Sequence, residues 1–306
     1  MSAFHLNPAV AACQPESRFR LPVAKLPPSG GLFIRIMWGG TMKTALVTGA
    51  TAGIGNAFAR MLAADGYALV LVSRDQSRLS EVAAELQTRY GVDVEILAAD
   101  LSDREHLERV ACRLRDETRP VDFLVSNAGY GMGRPFLATD VSEEERMIDV
   151  LIRAVLVLSR AAAPGMIARG RGNIVTVSSV AGFLPNGTYA AAKSWATTFT
   201  ASLAGELAGT GVAATALCPG YVRTEFHLRA GMDTSHLPGW AWLTADRLVA
   251  DCMADVRRGR VVSVPSLRYK AAVLFLRHIP LRLLKRLSER RAALRASIAA
   301  RRTDPG

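Results

Sequence analysis

From Met42 onward the chain alternates between two hydrophobic periods. Short runs rich in branched apolar residues fall at 44–48, 68–73, 94–98, 121–126, 174–178, 212–218 and 261–264. They have strand length, and several are apolar throughout, as strands covered on both faces of a parallel sheet are. Between them lie longer stretches at 55–65, 75–90, 102–117, 142–168, 189–209 and 244–257. In the second of these, Leu79, Val82, Ala83 and Leu86 recur at helical spacing, which buries one stripe of a helix and leaves the rest in water. Strict alternation of strand and helix predicts right-handed crossovers and an α/β fold, a doubly wound parallel sheet in a single domain over 42–265.

The flanks read differently. Residues 1–41 hold Pro8, Pro15, Pro22, Pro27 and Pro28 without a sustained period. They are expected to be a disordered N-terminal extension, with Met42 the start of the folded chain. A basic leader, an apolar stretch and a small-residue cleavage site do not occur there in order, so no secretory signal is expected. Residues 266–306 read as a basic helical tail, with helices predicted over 267–279 and 280–302. Leu283, Leu287, Leu294 and Ile298 share a narrow arc, into which Arg291 intrudes. The longest apolar stretch, 151–168, is interrupted by Arg153, Arg160 and Pro164, so no run reaches the roughly 20 residues of a bilayer span.

Charge follows the same division. The chain has 38 Lys+Arg against 27 Asp+Glu, a net charge of +11. Residues 257–302 carry 14 basic residues and the single acid Glu289, whereas 42–256 carry 20 basic and 24 acidic residues. The basic character belongs to the ends, which disfavours a nucleic-acid binder. Cys13, Cys112, Cys218 and Cys252 are far apart and unpaired by motif, so no metal site is expected, and reduced thiols in a cytoplasmic protein are.

The first strand runs directly into Thr48-Gly49-Ala50-Thr51-Ala52-Gly53-Ile54-Gly55, and a helical pattern follows. Glycines let backbone approach a pyrophosphate closely, and a helix start offers free N–H groups and a positive dipole end. The spacing differs from the familiar G-x-G-x-x-G, but the strand–loop–helix context points to a Rossmann-type dinucleotide site. The second strand ends in Ser73-Arg74. A carboxylate there would hold a free ribose 2′-hydroxyl, whereas a guanidinium binds a 2′-phosphate. NADP(H) is therefore expected over NAD(H), although Asp75 stands next door.

The strand at 174–178 leads into Ser179, and Tyr189-Ala190-Ala191-Ala192-Lys193 follows at a predicted helix start. Positions i and i+4 share a helix face. An ammonium beside a phenol is expected to lower its pKa and suit it to proton transfer near neutrality.

Taken in order, these pieces resemble the classical short-chain dehydrogenase/reductase family. The matches are Thr48-Gly49-x-x-x-Gly53-x-Gly55, Asp100-Leu101, Asn127-Ala128-Gly129, Ser179, Tyr189-x-x-x-Lys193, and Pro219-Gly220 with Thr224, spread over 43–264. The resemblance implies an NAD(P)-dependent oxidoreductase, a ketoreductase-type enzyme interconverting alcohols and carbonyls. It implies Tyr189 as general acid, Lys193 as its partner and holder of the nicotinamide ribose, and Ser179 as orienter of the substrate oxygen. The implied cofactor set is Gly49, Thr51, Gly53, Ile54, Gly55, Arg74, Asp100, Leu101, Asn127, Gly129, Tyr189, Lys193, Pro219, Gly220, Val222 and Thr224. Asp100 would take the adenine amino group, Asn127 would chiefly brace the sheet, and Thr224 would reach the carboxamide.

Two positions depart from the family pattern. Leu151 falls where many members carry an asparagine that helps relay protons to the lysine. Ser179 and Tyr189 are ten apart, where thirteen is common, so the loop bordering the substrate is short and the serine could be displaced. A weakly active or non-catalytic cofactor-binding protein, acting through a partner or membrane surface, is the alternative reading. The long segment 221–242 contains Phe226, Leu228, Met232, Leu237, Trp240 and Trp242. It reads as a lid over a hydrophobic small-molecule substrate or simply as a packed loop. His227 and His236 within it lack further ligands for a metal. For the tail three readings stand: packing on the body or on a second subunit of a homo-oligomer, peripheral contact with an anionic membrane, and, last, nucleic acid.

Overall fold

The structure is a computed structural model and describes residues 42–235 and 237–278. Seven strands, β1 Thr44–Thr48, β2 Ala68–Ser73, β3 Val94–Ala98, β4 Phe123–Ser126, β5 Gly172–Val177, β6 Val212–Leu217 and β7 Val262–Ser263, form one sheet. Its order is β3-β2-β1-β4-β5-β6-β7 and every pairing is parallel. The helices are α1 Gly53–Ala64, α2 Gln76–Tyr90, α3 Arg104–Arg115, α4 Val141–Ile148, α5 Ala154–Ala168, α6 Gly187–Glu206, α7 Phe226–Arg229, α8 Ala245–Arg257 and α9 Leu267–His278. The strand order reverses between β1 and β4, and the crevice beyond their carboxyl ends is where such folds bind ligands.

The uninterrupted apolar runs are buried as expected. Ala45, Val47, Leu69 and Leu71 face one core with Phe58, Leu62 and Leu79 of α1 and α2, joined by Leu248 and Val249 of α8. Leu46, Val70 and Val72 face a second core with Leu107 and Val110 of α3 and Leu158 and Met166 of α5. Period-two alternation thus divides each strand between two helical layers.

The stretch expected as one helix over 142–168 is three pieces. A π-helical turn, Asp149–Arg153, joins α4 to α5. Over Val141–Ala168 this helical stretch is long and apolar enough to span a bilayer by length and composition, a length the sequence reading did not credit. The α5 side chains Ala154, Leu158, Ala161, Ala162 and Met166 are spent on the second core. Cys218 and Cys252 are buried thiols. Cys112 is disulfide-bonded, which corrects the expectation of reduced thiols throughout. The expectations for residues 1–41 and for a helix over 280–302 lie outside the described residues.

Candidate active site

The glycine loop turns at the carboxyl end of β1. Gly49 and Gly53 have φ of +66° and +54°, a region costly to side chains. A Cβ on Gly49 would stand 2.8 Å from Asn127 Nδ2, one on Gly53 2.9 Å from Thr224 Cγ2, and one on Gly55 would run into the Gly49 carbonyl. α1 begins at Gly53 with Ala52 as its N-cap and no side-chain cap. Its first-turn N–H groups therefore have no side-chain acceptor, which suits an anion. Thr51 and Ser73 hydroxyls lie 3.2 Å apart, linking this loop to the end of β2. Asn127 braces the crevice floor: Nδ2 donates to the carbonyls of Thr48 (2.9 Å) and Gly49 (3.2 Å), and its N–H donates to Thr48 Oγ1. The backbone cradle and uncapped helix start fit a dinucleotide pyrophosphate.

At the end of β2, Arg74 is exposed and makes no ion pair among the described residues. The neighbouring Asp75 is committed elsewhere. Its carboxylate accepts from Arg78 N at 3.0 Å as the N-cap of α2. Beyond β3, Asp100 accepts from the Ser102 amide (3.0 Å) and hydroxyl (2.7 Å). Partial burial raises its carboxyl pKa, but these bonds and the nearby Arg74 and Arg146 outweigh burial and hold it below the usual value. Leu101 beside it is buried.

Ser179 leaves β5 in extended backbone, its hydroxyl accepting from Ala181 N at 3.1 Å. That hydroxyl lies close enough to the Tyr189 phenol to lower its pKa. The short loop therefore does not displace the serine. A 3-10 turn, Val180–Phe183, follows it, and α6 starts at Gly187, ahead of Tyr189. Gly187 has φ +72°, a turn a side chain would resist. α6 is clamped to the sheet behind Tyr189. Ser178 Oγ donates to the Lys193 carbonyl (2.6 Å) and lies 2.7 Å from Thr197 Oγ1.

Lys193 departs from expectation. Its Nζ donates to the Val177 carbonyl at 2.6 Å and lies 5.8 Å from the Tyr189 ring centre. The residue is 6% exposed. Burial pushes its pKa down to about 8, slightly countered by Cys218. Burial likewise pushes the Tyr189 phenol up to about 12, and the neighbouring Ser179 hydroxyl offsets this only in part. The expected lowering of the phenol by the ammonium is absent, because desolvation acts on both groups and the ammonium is aimed at a carbonyl.

Leu151 occupies the π-helical turn and is 1% exposed. A Cβ built on Gly129 would meet Leu151 Cδ2 at 2.7 Å and Lys193 Nζ at 3.7 Å. Leu151 and Lys193 Nζ thus flank the same point beside Gly129, and the leucine packs in a cluster with Met147, Ala192 and Tyr189. Gly131 escaped the sequence reading, and Phe226, expected only as part of the lid or a packed loop, reaches the tyrosine itself. The Phe226 ring lies 5.7 Å from that of Tyr189. Gly131 packs between them: its Cβ would stand 3.1 Å from Phe226 Cζ and 3.6 Å from Tyr189 Cδ2. The glycine after Asn127-Ala128-Gly129-Tyr130 was the available signal.

Pro219, Gly220, Val222 and Thr224 border the same crevice. The Pro219 carbonyl accepts from Val180 N at 3.0 Å, Val222 pairs with Leu243, and Thr224 Oγ1 accepts from Phe226 N at 3.3 Å. His227 sits among the rings of Tyr221, Phe226 and Trp242, with burial depressing its pKa. Among the described residues no group of His, Cys, Asp and Glu could hold a metal ion.

Comparison with known proteins agrees with this geometry. The short chain dehydrogenase family profile matches residues 43–234. An NADP-dependent 3-hydroxy acid dehydrogenase of Salmonella typhi is 36% identical over 59% of this chain and 73% of its own. A short-chain dehydrogenase from Sphingobium yanoikuyae, solved with NADPH, superposes with TM-score 0.71 at 34% identity, covering 83% of this chain and 95% of that one. A bulky-bulky ketone specific alcohol dehydrogenase from Comamonas testosteroni gives TM-score 0.67 at 29% identity over 83% and 94%. The chain belongs to the short-chain dehydrogenase/reductase family, nicotinamide-dependent oxidoreductases acting on CH–OH groups.

Proposed function

We propose that the protein is an NADP(H)-dependent oxidoreductase that interconverts a carbonyl and an alcohol on a hydrophobic small molecule, with Tyr189 as its general acid/base. The observation that carries this reading is the convergence of Ser179, Tyr189 and buried Lys193 at one point, with the Phe226 ring 5.7 Å from that of Tyr189. A bound nicotinamide supplies or accepts the hydride. Tyr189, held protonated across the neutral range, donates to the carbonyl oxygen as reduction proceeds. Ser179 Oγ accepts from Ala181 N, and its own proton is available to orient either the phenol or the substrate oxygen. Lys193 holds the nicotinamide ribose and returns the proton to Tyr189. Gly49, Thr51, Gly53, Ile54 and Gly55 take the pyrophosphate, Arg74 the 2′-phosphate, and Asp100 and Leu101 the adenine. Asn127 and Gly129 floor the site; Pro219, Gly220, Val222 and Thr224 serve its nicotinamide end. The NADP-dependent relative and the NADPH-bound neighbour support the cofactor choice. The ring cluster of the lid supports a hydrophobic substrate.

The test is a carbonyl panel followed by NADPH absorbance. Tyr189→Phe should abolish reduction and leave NADPH affinity within about twofold, because one hydroxyl is removed and the cradle is untouched. Undiminished reduction by that variant would remove Tyr189 from its role.

The cytoplasm, with peripheral contact at an anionic membrane surface, is the location we assign. α9 presents Leu267, Leu274 and Phe275 at 82%, 62% and 68% exposure. They share one helix face, with Arg268 and Lys270 beside them and eight more basic residues in the sequence after His278. Exposed apolar side chains with basic neighbours suit the interface of an anionic bilayer. Co-sedimentation with phosphatidylserine vesicles tests it.

A further inference from the structure

Segment 221–243 leaves β6 through Pro219-Gly220 and returns to α8, carrying Phe226 to the catalytic tyrosine. Both ends of this lid are held by one side chain that lies beyond the family-matched residues. Tyr269 of α9 accepts from the Tyr221 N–H at 3.1 Å through its hydroxyl and donates to the Ala241 carbonyl at 2.7 Å. Its ring covers Gly220 so closely that a Cβ there would run into it. Next to it, Arg268 donates to the Trp240 carbonyl and lies 5.7 Å from the centre of the Trp240 ring.

α9 is itself anchored. Val273 is 5% exposed and packs in a core with Ala216, Cys218 and Val264, flanked by Val180 and Phe183 of the turn after Ser179. The chain enters α9 through Ser266 at φ +82°, a conformation that non-glycine residues hold only where surroundings impose it. From the stapled end a run of ring contacts leads inward. Tyr221 lies 5.4 Å from His227 and 5.8 Å from Trp242. His227 lies 5.3 Å from Phe226, and Phe226 5.7 Å from Tyr189.

We infer that Tyr269 is a positioning residue for the substrate wall: by stapling Tyr221 to Ala241 it fixes the lid and, through Tyr221 and His227, holds Phe226 against Tyr189. The catalytic part of this inference rests on the role proposed for Tyr189; the staple does not. α9 is then a working part of the site rather than an appendage. Tyr269→Phe keeps the ring on Gly220 and removes both hydrogen bonds; Tyr269→Ala removes the ring as well.

The deciding measurement is hydrogen exchange by mass spectrometry on the full chain with NADPH. In Tyr269→Phe, peptides spanning 221–243 should exchange at least tenfold faster, while peptides of β5 and β6 keep their protection. Unchanged exchange in 221–243 overturns the inference, as does equal loosening of the whole sheet. Should the alanine variant fail to fold, the phenylalanine variant decides alone. Steady-state kinetics with propiophenone as the probe ketone give the second readout. KM should rise at least fivefold with kcat within twofold, whereas a merely destabilised enzyme loses apparent kcat at constant KM. If the wild type does not turn the ketone over, the catalytic reading falls for that substrate, and the exchange result still judges the staple.

Discussion

At the residue scale the site is governed by desolvation. Lys193 is held from 10.5 down to about 8 by burial. The unfolded chain binds that proton more tightly, so stability rises with pH between about 8 and 10.5, while below this window both states are protonated and the penalty is constant. A depression of this size corresponds to about 3 kcal/mol. Lys193→Met would lift that penalty but strip the Val177 carbonyl of its donor, at about 1 kcal/mol. The variant should therefore be more stable by about 2 kcal/mol at pH 7 and lose the advantage by pH 10.5. Urea melts at the two pH values check this; an equal gain at both would rule out the desolvation account. In the function proposed above, Arg74 carries the cofactor choice. Arg74→Ala should weaken NADPH about tenfold to a hundredfold, from charge-assisted bonds worth about 1.5–3 kcal/mol, and leave NADH nearly unchanged. Parallel weakening of both cofactors would remove Arg74 from the 2′-phosphate.

At the element scale, most of the fold was legible because local period and global architecture agree. Strands β1, β2 and β3 occupy the expected 44–48, 68–73 and 94–98. Asp75, which clouded the cofactor reading, could have been recognised as an N-cap from its place before a helical run. The π-helical turn was not legible, since Asp149–Arg153 continues the 3.6-residue apolar pattern and differs only in its hydrogen bonding. The missing asparagine is legible in the sequence, but its consequence needed the structure: Leu151 puts hydrocarbon beside Gly129, near Lys193 Nζ. Leu151→Asn would place an amide there. The Lys193 pKa should then rise toward its ordinary value, and kcat should increase with its pH profile displaced upward. An unaltered profile and unaltered turnover would show that Leu151 does not control the proton supply. The staple by Tyr269 was invisible for another reason. It acts across 48 positions on Tyr221, and no local pattern marks a tyrosine as a partner at that range.

At the scale of the whole molecule, the charge of +11 divides between a mildly acidic body and a basic C-terminal part. Simple truncation after β7 would be a poor test of membrane contact, because it also removes Tyr269 and unpins the lid. The surface must be altered where it touches nothing else. Leu274 and Phe275 are exposed and stand on the face of α9 away from buried Val273. Replacing both by glutamate keeps the Tyr269 bonds and removes apolar area while reversing local charge. The full chain should sediment with phosphatidylserine vesicles and not with neutral phosphatidylcholine ones, and the double variant should stay in solution with its NADPH binding intact. Salt separates the two contributions. The Debye length falls from about 10 Å at 0.1 M to about 3 Å at 1 M, so recovery driven by the basic residues should collapse over that range. Retention that ignores both salt and lipid charge would show an apolar contact alone, and equal recovery of wild type and variant would remove α9 from the membrane surface.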